Sequence, residues 1–133
     1  GYIVHCKSCG HRKVQNEKGV SCEICSTKVE SAGPLWIGNL HDKTFVNQML
    51  EEQKKFLVDK SCEKTLLKCR NEIDMPCTYF TLDEIARKKQ CAPISLSNII
   101  EKLQKEGFQV SQTSLDPTGF RTNARIDKIL QIF

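Results

Sequence analysis

Eight of the chain's residues are cysteines, and four of them stand in a pattern that carries chemistry. Cys6-Lys7-Ser8-Cys9 is followed, after twelve intervening residues, by Cys22-Glu23-Ile24-Cys25. A tight C-x-x-C turn aims two sulfurs at one point, and a second such turn supplies the other two corners of a tetrahedron. Zinc accepts four thiolates at about 2.3 Å, and a shell closed in this way leaves no position for a reactive water. The spacing therefore predicts a structural zinc held by Cys6, Cys9, Cys22 and Cys25 in a zinc-ribbon-like segment. Two disulfides are the competing use of such pairs. They belong to an oxidising compartment, and no charged start followed by an apolar run marks a secretory signal. His5 and His11 flank the first pair and are read as solvated or supporting groups. Cys62, Cys69, Cys77 and Cys91 lack pair spacing and are read as reduced thiols, which behave as small hydrophobes.

No catalytic constellation is visible. The sequence has no Gly-rich phosphate loop and no G-x-S-x-G motif. Cys77 and Cys91 have no histidine after His41 to serve as a base. At 133 residues and 15.2 kDa the chain is shorter than a doubly wound cofactor domain plus a substrate domain. No apolar run approaches the roughly 18 residues of a membrane helix. The expectation is a soluble intracellular module, nuclear or nucleolar in a eukaryote, with no membrane contact.

The elements that must position these groups fall into three stretches, giving an α+β class. Residues 1–34 have no long apolar run, and a metal must replace the missing core. Tyr2-Ile3-Val4 reads as a strand entering the first Cys turn, and Gly10 suits a positive φ just after it. Residues 35–75 form a helical connector. Its first helix spans about 41–57, with Asp42 as N-cap and Phe45, Met49, Leu50, Phe56 and Leu57 as the apolar stripe. Its second spans about 62–73. Trp36, in Leu35-Trp36-Ile37, is expected to fill the core. Residues 76–133 read as winged-helix-like. They comprise a short strand at 79–81, a helix at 82–89 with a Thr81/Glu84 capping box, and a helix at 95–106 closed by Gly107. A hairpin turning at Asp116-Pro117-Thr118-Gly119 and a last helical piece complete the order.

The charge of +4 comes from 20 Lys+Arg against 16 Asp+Glu. The connector is neutral in total, and the excess sits at the two ends. Long cations beside phosphates gain affinity by releasing counterions, without reading sequence. The candidate nucleic-acid contacts are Arg121, Arg125, Arg87, Lys88, Lys89, Lys102 and Lys105, with Thr113 and Thr122 beside the hairpin. Arg121 is the favoured phosphate contact. Glu101 and Glu106 compete for Lys102 and Lys105, and a pI near 8.6 implies weak, salt-sensitive binding.

Several segments together resemble one family. They are the two Cys pairs, Gly33-Pro34-Leu35-Trp36-Ile37-Gly38-Asn39-Leu40-His41-Asp42, Tyr79 through Ala86, and Asp116-Pro117-Thr118-Gly119-Phe120-Arg121-Thr122-Asn123-Ala124. The chain resembles the C-terminal region of the tRNA guanine-N2 dimethyltransferases over nearly its whole length. The resemblance implies a noncatalytic tRNA-binding part that positions tRNA for an S-adenosylmethionine-dependent domain lying N-terminal to it in the same polypeptide. Departures at Ser114-Leu115 and Asn123-Ala124-Arg125 make a diverged methyltransferase-like paralogue the variant of this reading. Two other classes compete with it: a DNA-binding zinc-ribbon/winged-helix regulator, and a protein-docking module that uses Trp36.

Overall fold

The computed structural model describes residues 1–133. Three short strands open it: β1 (Tyr2–His5), β2 (Arg12–Gln15) and β3 (Glu30–Ala32). They form an antiparallel sheet in the order β2-β1-β3, with Ile3 opposite Val14 and Val4 opposite Ser31. Its core is small: Val4, Cys6, Cys22 and Val29.

A helical hairpin follows, with α1 (Lys43–Glu52), a 3-10 helical turn (Gln53–Lys55) and α2 (Lys60–Asn71). Asp42 caps α1 as expected, accepting from the Phe45 amide at 2.7 Å. Asp59 caps α2 by accepting from the Ser61 amide, so that helix starts two residues earlier than the sequence suggests. The apolar stripe needs correction. Val46 and Leu50 are the buried residues of α1, while Phe45, Met49, Phe56 and Leu57 are exposed. Trp36 also lies outside the core, at 74% exposure, with its indole N–H satisfied by the Asn39 carbonyl.

The remaining elements are β4 (Phe80–Thr81), α3 (Leu82–Lys89), α4 (Leu96–Lys105), β5 (Val110–Gln112), β6 (Gly119–Thr122) and α5 (Ile126–Ile132). The second sheet has the order β4-β6-β5, with Phe80 opposite Phe120. Thr81 and Ser95 cap α3 and α4. Gly107 follows α4 at φ +84°, where any Cβ would strain the backbone. Eleven buried residues form the main core here, among them Ile85, Ile99, Leu103, Phe120, Ile126 and Ile129.

The two cores touch. Cys9 and Ile24 of the Cys turns pack against both. Arg12 of β2 forks onto both Glu84 carboxylate oxygens, at 2.7 and 2.8 Å, and lies over the Phe80 ring. The Glu84 carboxylate is thereby taken by a tertiary partner, and the expected capping box keeps only its Thr81 half. No helix is long and apolar enough to cross a membrane.

Candidate metal centre and nucleic-acid face

The two Cys turns are built alike. The Cys6 amide donates to the His11 carbonyl, and the Gly10 amide donates back to Cys6. The Cys22 amide donates to Thr27, and the Ser26 amide donates back to Cys22. In each turn the fifth residue takes a left-handed conformation, Gly10 at φ +84° and Ser26 at φ +57°. This repeat directs four sulfurs to one place. All four Sγ atoms lie within 4.8 Å of one another. Cys6 and Cys25 approach to 3.4 Å, and Cys9 and Cys22 to 3.6 Å, with every thiol free of a disulfide. A regular tetrahedron with metal–sulfur bonds of about 2.3 Å has edges of about 3.8 Å, so these residues fit zinc.

The surroundings favour thiolate at one side of the cluster. The Thr27 hydroxyl lies 3.0 Å from Cys25 Sγ and 3.1 Å from Cys6 Sγ. Hydrogen bonding from Thr27 brings the Cys25 thiol down to about 6. Burial pushes Cys9 the other way, up to about 12. A cation held by these four sulfurs would offset the burial cost by stabilising them as thiolates. His11 stands outside the cluster, with its Nε2 3.0 Å from Glu23.

The candidate phosphate contacts divide sharply. Arg121 is 1% exposed and is no surface cation. Its Nε donates to Glu72 Oε2 and its Nη1 donates to the Pro76 carbonyl at 2.8 Å. The same carboxylate accepts from Thr113 Oγ1 at 3.1 Å and from the Ser114 amide, and His41 Nε2 lies 3.9 Å away. Burial alone would raise the Glu72 carboxyl, yet the Ser114 and Arg121 hydrogen bonds hold it below its ordinary value. The expectation that Arg121 meets phosphate is thus overturned: an acid 49 positions away in sequence claims it. Thr113 and Thr122 are buried too, donating inward to Glu72 and to the Gln109 carbonyl.

The remaining cations are nearer the surface, but several are engaged. Lys88 Nζ donates to the Lys7 and Ser8 carbonyls and so closes the first Cys turn. Lys102 is half-buried and reaches the Ile132 carbonyl. Lys105 pairs with Glu101 at 2.7 Å and Arg125 with Asp127 at 3.3 Å. Arg87 and Lys89 alone of the set are exposed with no acidic partner.

The fold is mixed α/β and carries a cluster of four cysteine sulfurs that could hold a metal ion. Its kinship is specific. The model of the N2,N2-dimethylguanosine tRNA methyltransferase family matches residues 1–133, and the chain belongs to that family. It is 33% identical to the tRNA (guanine(26)-N(2))-dimethyltransferase of Methanobrevibacter smithii, over 99% of this chain and 36% of that protein. Against the Methanothermobacter thermautotrophicus enzyme of the same description the identity is 31%, over the same shares. The chain thus spans about a third of the length of the curated relatives it matches. The solved structure of Trm1 from Pyrococcus horikoshii with S-adenosyl-L-methionine has the same fold over 98% of this chain and 34% of that one. The TM-score is 0.78 at 22% identity.

Proposed function

We propose that this region is the noncatalytic tRNA-binding part of a tRNA guanine-N2 methyltransferase. It positions tRNA for a domain of the same polypeptide that binds S-adenosylmethionine. The observation that carries this reading is the family match over every residue of a stretch that holds no catalytic constellation. Its organisation is a zinc-ribbon-like segment at 1–34 with a structural zinc, a helical connector at 35–75 and a winged-helix-like part at 76–133. Arg87 and Lys89, at the end of α3, are its phosphate contacts on the winged-helix-like part. The relatives described are archaeal and lend the nuclear expectation no support.

The test is binding to tRNA and to an unrelated DNA duplex at low and moderate salt. The expected result is tighter binding to tRNA, weakened several-fold by Arg87→Glu with Lys89→Glu at an unchanged melting temperature. DNA binding that equals or exceeds tRNA binding would overturn the reading in favour of a DNA-binding regulator.

A second contact is supported by the exposed apolar side chains. Leu35, Trp36, Leu40, Phe45, Met49, Phe56, Leu57 and Val58 are all exposed within one stretch of the connector. Only Val20 and Leu115 are large exposed hydrophobics elsewhere. Such concentration marks a docking surface, and the methyltransferase domain of the same polypeptide is its partner. Trp36 is the chain's single tryptophan, so its fluorescence reports this surface alone. Adding that domain should shift Trp36 emission to the blue and give co-elution. Neither effect at micromolar concentrations would remove the contact.

A further inference from the structure

The connector carries seven basic and seven acidic residues between positions 35 and 75, and its total charge is zero. The structure separates those charges. Asp42 and Asp59 are spent as helix caps. Glu51 and Glu52 are answered by Lys54 and Lys55 at 2.9 and 2.7 Å. Glu72 is buried against Arg121, and Asp74 accepts from Asn39 at 3.1 Å. Glu63 is the one acid of α2 itself left on the surface.

What remains is cationic and ordered. Lys60, Lys64 and Lys68 recur every fourth residue of α2, and none has an acidic partner. At 3.6 residues per turn they lie on one side of the helix, spread over about 12 Å of its axis. Leu66 and Cys69 are half-buried on the far side, Leu67 is half-buried beside the ridge, and α2 packs against α1. Lys60 and Lys64 are exposed, and Lys68 at the end of the ridge is half-buried. Like charges four apart destabilise a helix, and this helix holds two such pairs in succession, with Glu63 its one exposed acid and no ion pair made to any of the three lysines. A row of phosphates would do so, since each one neutralised releases a condensed counterion.

We infer that the Lys60-Lys64-Lys68 ridge of α2 is a contact for the tRNA sugar-phosphate backbone, a site on the connector separate from Arg87 and Lys89. The inference rests on the tRNA-binding reading above, and its test separates the two. Affinity of the 133-residue chain for an unmodified tRNA transcript is measured across a salt series. The wild type is compared with Lys60→Gln/Lys64→Gln/Lys68→Gln and with Lys54→Gln/Lys55→Gln, the salt-bridged lysines of the same connector. The ridge variant should lose about 2 to 3 units from the slope of log K against log salt, about one per phosphate contact. The control should lose little. Without RNA, the ridge variant should melt no lower than wild type, because two like-charge pairs have been removed. A ridge variant with the wild-type salt slope, or one that melts markedly lower, overturns the ridge and leaves the tRNA-binding reading standing. A wild-type chain that binds no tRNA overturns both.

Discussion

Glu72→Ala is expected to destabilise the fold by about 3–5 kcal/mol, the usual cost of stranding one charge of a buried pair. For a domain of this size that lowers the melting temperature by roughly 10–20 °C. The cause is local. Glu72 and Arg121 are both shut off from solvent. Their pairing joins the end of α2 to β6, with Thr113 and Ser114 closing the remaining carboxylate positions. Removing the acid leaves a guanidinium in the interior whose Nη2 already lacks a partner. The pair is not the best solution for stability alone. Glu72→Leu combined with Arg121→Met should recover most of the loss, since apolar pairs of similar volume often replace buried ion pairs without penalty. The double-mutant cycle measures the coupling, and near-additive single losses would show that the pair does not tie α2 to β6. The pH dependence has a defined sign. The Glu72 pKa is depressed in the folded state. Its contribution is present above the ordinary carboxylate range and is lost as pH falls through the lowered folded value. Arg121→Glu would place two acids together, so it should unfold the region. Weakened tRNA binding by that variant would say nothing about a phosphate contact.

The burial of Arg121 has no signature in its own stretch of sequence. An arginine flanked by Phe120 and Thr122 on a hairpin alternates as a surface residue should, and no local signal ties it to an acid five elements earlier, at the end of α2. The stripe of α1 failed for a different reason. Phe45/Met49 and Val46/Leu50 are both i,i+4 pairs, and periodicity cannot say which of two adjacent apolar faces turns inward. Val46 and Leu50 turned inward, and Phe45 and Met49 stayed exposed. Trp36 shows the same limit, since its burial depends on what lies beside it and not on its hydrophobicity. Features that depend on nearest neighbours in sequence were legible. Asp42 and Thr81 accept from the amide three residues on, and Gly10 and Gly107 take positive φ where the chain must turn. The α2 ridge was also in view, but a neutral sum over residues 35–75 concealed it. Only the pairing geometry shows which charges remain.

Metal removal should have the largest effect on residues 1–34. The buried core of that segment is Val4, Cys6, Cys22 and Val29, so half of it consists of proposed ligands. Two valines contribute about 3–6 kcal/mol between them, whereas a structural zinc in a site of this kind contributes roughly 10–16 kcal/mol at neutral pH. Purified protein should therefore contain one zinc per chain. A strong chelator, or Cys22→Ser, should abolish amide protection in β1, β2 and β3 while the separate core around Ile99 and Phe120 stays protected. The loss will not stop at the ribbon-like segment. Arg12 can no longer hold Glu84, and Lys88 loses the Lys7 and Ser8 carbonyls. The remaining fold should melt lower, and α3 should exchange faster than α4. Because protons compete for the thiolates, zinc affinity should fall as pH is lowered. Metal-free protein with Cys6, Cys9, Cys22 and Cys25 in two disulfides would refute this account. Zinc-free protein with β1, β2 and β3 still protected would refute it equally, since it would mean that the two valines and the Arg12 fork hold the segment by themselves.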